Sequence, residues 1–183
     1  MNRAIFLDRD GTINYDSSEY LKSLSEYHLF PFTIEAFKIL DELDFKLIVI
    51  TNQSAINRGL TSRDDVEEIH NYIKEELQRA DVELDAVYYC PHHPDEHCRC
   101  RKPEIGNITR AAEDFNIDLS KSYFIGDSPK DIEAGTRAGC RTVQVNTGIR
   151  SVELNQMFNS DIPADFVVEN LLSAAKLICD IER

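Results

Sequence analysis

The chain has 183 residues, 42% of them hydrophobic and 29% charged, with a net charge of −13. That fits one soluble globular domain over 1–183 with a substantial core; the acidic balance argues against nucleic acid or anionic membrane as a partner. No apolar stretch approaches the roughly 20 residues of a membrane span, and the N-terminus runs straight into an apolar strand, so no signal peptide and a cytoplasmic location are expected.

The first element is the apolar run Ala4-Ile5-Phe6-Leu7, which reads as a covered parallel strand. It ends in Asp8-Arg9-Asp10-Gly11-Thr12. Strand side chains alternate, so Asp8 and Asp10 can lean toward one spot beyond the carboxyl end, where open α/β sheets bind ligands. Two carboxylates that close call for a cation, and hard oxygen ligands suit Mg²⁺. Asp8 is then a candidate nucleophile on phosphorus, and Asp10 a candidate acid and base.

A polar loop with a short hairpin is expected over 14–31. Ile34, Phe37, Leu40 and Leu43 mark a helix over 33–43 by their 3.6-residue spacing. A β-branched strand over 45–51 ends at Thr51, followed by the polar loop Asn52-Gln53-Ser54-Ala55-Ile56-Asn57-Arg58-Gly59. Ser62 caps a helix to about residue 80, with Asp64 and Asp65 in its first turn. A third strand over 86–90 leads into Cys90-Pro91-His92-His93-Pro94-Asp95-Glu96-His97-Cys98-Arg99-Cys100. Three of the five cysteines fall in this window, which in a cytosolic chain favours metal over disulfides. Its thiolates and imidazoles suit tetrahedral Zn²⁺, but spacing alone leaves His92, His93 and His97 open.

A helix over 105–116 precedes a strand over 122–126 that ends at Asp127. Ser128-Pro129 starts a helix that stops at Gly139, and a fifth strand covers 141–145. A loop, a short strand over 166–168 and a helix over 171–181 close the chain. Alternating strands and helices predict an α/β fold, a doubly wound parallel sheet with helices on both faces. Neither GxGxxG nor a Walker A loop is present. Cys140 and Cys179 read as core residues, and His28 and His70 have no partner legible in sequence.

Thr51, Lys102, Asp127 and Asp131 join Asp8 and Asp10 at or beyond strand ends. Thr51 and Lys102 suit phosphoryl oxygens, and Asp127 offers a further carboxylate to the metal. In this order the residues resemble the four motifs of the haloacid dehalogenase (HAD) superfamily, over nearly the whole chain. No segment is long enough for a cap domain, since 14–31 and 90–102 read only as loops. The resemblance implies a Rossmann-like core and Mg²⁺ held by Asp8, the Asp10 backbone carbonyl and Asp127. It also implies Asp8 as nucleophile, Asp10 as acid/base, Thr51 and Lys102 as phosphoryl stabilisers, and Asp131 as support.

The cysteine loop resembles that of the D,D-heptose 1,7-bisphosphate phosphatase and histidinol-phosphate phosphatase subgroup, which implies structural zinc on Cys90, His92, Cys98 and Cys100. The loop from Thr51 to Gly59 is similar to the heptose branch, although Ala55 replaces the usual glycine. Asn52, Gln53 and Ser54 are then expected to contact substrate, and Arg58 and Arg101 the phosphate that is not cleaved. Asp16 and Tyr20 are candidates for sugar hydroxyls. The expected activity is Mg²⁺-dependent hydrolysis of the C7 phosphate of D-glycero-D-manno-heptose 1,7-bisphosphate by a monomer. Alternatives are a histidinol-phosphate phosphatase and a non-catalytic zinc-stabilised binding module; the latter fits poorly with a full set of acidic residues.

Overall fold

The structure, a computed structural model, describes residues 1–149 and 162–183. Six parallel strands form one sheet: β1 (Ala4–Leu7), β2 (Lys46–Asn52), β3 (Ala86–Cys90), β4 (Tyr123–Gly126), β5 (Arg141–Val145) and β6 (Phe166–Val168). Their order is β3-β2-β1-β4-β5-β6. Among the described residues five helices cover the sheet: α1 (Thr33–Asp41), α2 (Arg63–Gln78), α3 (Gly106–Asp114), α4 (Pro129–Ala138) and α5 (Leu171–Glu182). This is the doubly wound α/β architecture expected from the pattern of elements.

The two-residue alternation of β1 sorts the core into two halves. Ile5 and Leu7 join Phe37, Leu40, Ile69, Ile73 and Ile178 on the face covered by α1, α2 and α5. Ala4 and Phe6 join Ile108, Ala111 and Ala134 on the face covered by α3 and α4. Burial on both sides is why β1 carries no polar residue, the first coming at Asp8 just past its end. The expected core cysteines, Cys140 and Cys179, are buried.

The chain leaves β1 toward β2 and β3 on one side and later returns to β4 on the other. A crevice opens at the carboxyl ends of β1 and β4, where the direction of winding reverses. Asp8 follows β1 and Asp127 follows β4, with Asp8 N–H donating to Ile125 O at 2.9 Å. Element ends differ from the sequence expectation by a residue or two, as helix fraying and loose strand ends produce. The hairpin expected over 14–31 reduces to one antiparallel bridge between Asn14 and Leu29, with a 3₁₀ turn at Leu24–Glu26. Part of the loop expected before β6 lies outside the described residues.

Candidate active site

Lys102 is the hub of the crevice. It comes from the cysteine loop, is 3% exposed, and reaches under the end of β1. Its Nζ donates to Asp8 Oδ1 at 2.7 Å and to Ile50 O at 2.7 Å, and pairs with Asp131 Oδ1 at 2.6 Å. All three ammonium hydrogens are thus engaged. Burial alone would lower the lysine, but Asp131 and Asp8 more than offset it and hold it well above its usual range.

Asp8, Asp127 and Asp131 present ligand atoms within 4.8 Å of one another. Burial and the Asp131 charge push Asp8 up to about 7, with Lys102 acting against them. Asp127 is raised well above the carboxylate range by burial, then by Asp131 and Asp8. Asp131 has both oxygens occupied, Oδ1 by Lys102 and Oδ2 by the Ser128 hydroxyl and backbone N–H at 2.7 and 3.0 Å. Asp8 and Asp127 are therefore the better donors to a cation, and a buried pocket with more negative than positive charge fits a divalent ion.

Two glycines allow the crowding. Gly11 has φ +84°, and a Cβ there would lie 2.8 Å from the Asp127 carboxyl carbon. At Gly148 a Cβ would fall 1.8 Å from Asp127 Oδ2. The loop after β5 thus passes so close to Asp127 that only hydrogen fits in that direction.

Asp10 occupies a different environment. Its Oδ1 accepts from Arg9 Nε and Asn14 Nδ2, both at 2.9 Å, and its Oδ2 accepts from Arg9 Nη2 and Gln53 Nε2, both at 2.8 Å. Burial alone would raise this carboxyl, but the Arg9 guanidinium, aided by Asn14 and Gln53, holds it below the usual range. Asp10 still lines the crevice, a cavity of about 290 Å³ shared with Asp8, Thr51, Lys102 and Asp131. Arg9, fully buried, also points Nη1 at His70 Nε2 across 3.4 Å. Burial, and then Arg9 itself, push the His70 imidazole down to about 3, so the ring is neutral and accepts. This partner of His70 was not legible in sequence.

The residues expected to contact substrate divide into two groups. Asp16, Tyr20, Asn52, Gln53 and Arg101 line the cavity. Ser54 and Arg58 do not; Ser54 is buried, and Arg58 lays its guanidinium 5.6 Å from the ring centre of Tyr20. Asn52 brackets the backbone of Lys102, donating to its carbonyl at 3.1 Å and accepting from its N–H at 3.0 Å. Gln53 also donates to Thr51 Oγ1 at 2.9 Å. Sequence reading overlooked Lys130, which lines the cavity beside Arg101. Burial and the Arg101 charge push its ammonium down. A lysine in a first helical turn reads as solvated surface, so the sequence carried little signal for it.

The cysteine loop gathers four donor atoms. Cys90 Sγ lies 3.5 Å from both His92 Nδ1 and Cys98 Sγ, and Cys100 Sγ lies 3.2 Å from His92 Nδ1 and 3.5 Å from Cys98 Sγ. Tetrahedral ligands about 2.0–2.3 Å from zinc sit roughly 3.3–3.8 Å apart, so the donor set fits that ion. His93 instead pairs with Asp95 at 3.2 Å, and His97 caps a 3₁₀ turn with φ 46°. The loop is tied to the crevice by Gln53 N–H donating to Cys90 O at 2.7 Å and by Asn57 Nδ2 donating to Glu96 Oε1 at 2.8 Å.

A HAD-hydrolase-like family model matches residues 99–174. The chain is 34% identical to D-glycero-beta-D-manno-heptose-1,7-bisphosphate 7-phosphatase of Haemophilus influenzae, over the full length of both. It is 38% identical to the D-glycero-D-manno-heptose-1,7-bisphosphate 7-phosphatase of Chlorobaculum tepidum, covering 94% of this chain and 92% of that one. The chain belongs to the heptose-1,7-bisphosphate 7-phosphatase family of HAD hydrolases. A solved member, D,D-heptose 1,7-bisphosphate phosphatase from B. bronchiseptica complexed with magnesium and phosphate, superposes with a TM-score of 0.90 at 32% identity. That match covers 98% of this chain and 99% of the other. HAD phosphatases use Mg²⁺.

Proposed function

We propose that this chain hydrolyses the C7 phosphate of D-glycero-D-manno-heptose 1,7-bisphosphate through an aspartyl-phosphate on Asp8. The observation that carries this reading is the end-to-end similarity to the H. influenzae phosphatase. The Asp8–Lys102–Asp131 cluster beside Asp127 supplies the matching chemistry.

In the first half-reaction an Asp8 oxygen bonds to phosphorus as the bond to the sugar O7 breaks. The proton for that leaving oxygen passes through Asp10, which must be protonated in the substrate complex although its four donors favour the carboxylate. In the second half, Asp10 takes a proton from water, the water oxygen bonds to phosphorus, and the bond to Asp8 breaks to release inorganic phosphate. Lys102 holds Asp8 in place with its ammonium and supplies positive charge beside the phosphoryl group, and the Thr51 hydroxyl supplies a hydrogen-bond donor to it. Asp8, the Asp10 backbone carbonyl and Asp127 would hold Mg²⁺, with Asp131 in support; when bound, the ion neutralises the phosphoryl charge and the crowded carboxylates.

Arg101 and Lys130, adjacent along the cavity wall, would take the phosphate that remains. Asp16 and Tyr20 would meet sugar hydroxyls, and Gln53 the face of the substrate over Asp10. Cys90, His92, Cys98 and Cys100 would hold a structural zinc that stiffens the loop carrying Arg101 and Lys102. We read 1–183 as one capless domain acting on a small sugar phosphate as a cytoplasmic monomer, without nucleic acid or membrane as partner.

The test is steady-state kinetics of the purified chain with Mg²⁺ on the heptose bisphosphate and on histidinol phosphate. The expected result is a kcat/KM at least about 100-fold higher for the bisphosphate, the worth of one well-met charged group. Faster turnover of histidinol phosphate overturns the assignment.

A further inference from the structure

The four donors around Asp10 are not equivalent. Arg9 and Asn14 are fully buried and lie outside the lining of the cavity. Gln53 lines the cavity, so its bond to Asp10 Oδ2 is the one that a bound substrate can replace. A carboxylate with two lone pairs on each oxygen is filled by four donors, and an acid/base needs one position open to the reacting oxygen. The fork of Arg9 fixes the plane of the Asp10 carboxylate from behind, through two parallel bonds that leave its cavity edge to Gln53 and the substrate.

We infer that Arg9 is a positioning residue: its buried, bidentate grip sets the direction in which Asp10 delivers its proton. Arg9 is itself held by the neutral His70 ring at Nη1 and by the Tyr27 ring, 5.8 Å from its Cζ. A guanidinium so enclosed cannot reach the substrate and acts only through Asp10. The inference rests on Asp10 being the acid/base of the proposed reaction.

The leaving group separates this role from a merely structural one. An alkoxide leaves only when protonated, whereas 4-nitrophenolate leaves without help, and kcat/KM reports the first half-reaction alone. Arg9→Gln in the full chain with Mg²⁺ should lose about 100-fold in kcat/KM on the heptose bisphosphate and less than about 10-fold on 4-nitrophenyl phosphate. Stopped-flow mixing with 4-nitrophenyl phosphate should then show a burst of nitrophenolate, because Asp10 is also misaimed for the water. Arg9→Lys keeps the charge without the fork and should show the same selectivity at about 10-fold on the alkyl ester. Should Arg9→Gln not fold, Arg9→Lys carries the test alone.

Asp10→Asn is the control. If it shows the leaving-group selectivity while both Arg9 variants lose equally on the two substrates, the inference is overturned and the acid/base reading stands. If Asp10→Asn shows no selectivity, the acid/base reading itself fails. Histidinol phosphate is also an alkyl ester, so the comparison survives a change of substrate.

Discussion

Asp8 and Asp10 are the same residue type two positions apart, yet they sit in opposite electrostatic worlds. Around Asp8 the protein places burial and negative charge: burial, and then Asp131, push its pKa up to about 7 against the pull of Lys102, with Asp127 close by. Around Asp10 it concentrates donors: a guanidinium and two amides hold the carboxyl below its usual range. One half of the site is short of a cation, and the other is already satisfied. The difference shows that environment and not residue type sets how two neighbouring carboxyls titrate.

The strongest way to break the comparison is Asp8→Asn. It removes the nucleophile and one of the repelling charges together. Activity should fall by at least about 10⁴-fold, as for other covalent nucleophiles. The melting temperature in magnesium-free buffer should hold or rise, because a buried repelled charge has gone. Full activity in that variant is incompatible with a phosphoaspartate.

Next in size is Lys102→Met, which leaves Asp8 and Asp131 buried without their shared partner. Breaking a buried pair from one side costs about 3–5 kcal/mol. Denaturant unfolding should show that loss at pH 7.5, and Lys102→Met combined with Asp8→Asn should recover part of it. A loss below about 1 kcal/mol would mean that the cluster is far better solvated than its burial implies.

The smallest effect is a pH dependence that sharpens the contrast. A carboxyl raised in the folded state binds a proton there more readily than in the unfolded chain, so its destabilising contribution fades as pH falls through about 7 toward 3.8. Without magnesium, the stability advantage of Asp8→Asn over the parent chain should shrink by about 2 kcal/mol between pH 7.5 and pH 5. Asp10 has the opposite sign: its depressed pKa adds stability above the ordinary carboxylate range that is lost only in stronger acid. His70, neutral when folded and held at about 3, destabilises the fold as pH drops below 6.5. It does so equally in both chains, so the difference between them reports Asp8 together with Asp127, whose carboxyl Asp8 helps to raise.

Much of this was legible in the chain itself. The apolar run into Asp8, the helix stripe at Ile34, Phe37 and Leu40, and the Ser62 and Ser128 caps are local patterns, and each element formed where its pattern predicts. The surprises all concern side chains that meet from distant segments. Asn52, which lines the cavity, also pairs with the Lys102 backbone fifty residues on. Arg58 went to Tyr20 and not to the cavity, and Lys130 came to it unannounced.

Residue order alone determined the alternation of strands and helices, the placing of acidic residues at strand ends, and the clustering of cysteines, because these depend on neighbours a few positions apart. Spacing left the histidine open and the family resemblance implied His92, which the tertiary structure sets against the three thiols; only the tertiary structure decided that Arg9 turns inward to grip Asp10. Those choices turn on distances of a few ångströms set by packing, as where Arg9 turns inward against His70, 61 residues on. Such distances exist only once the sheet has wound and both its faces are packed.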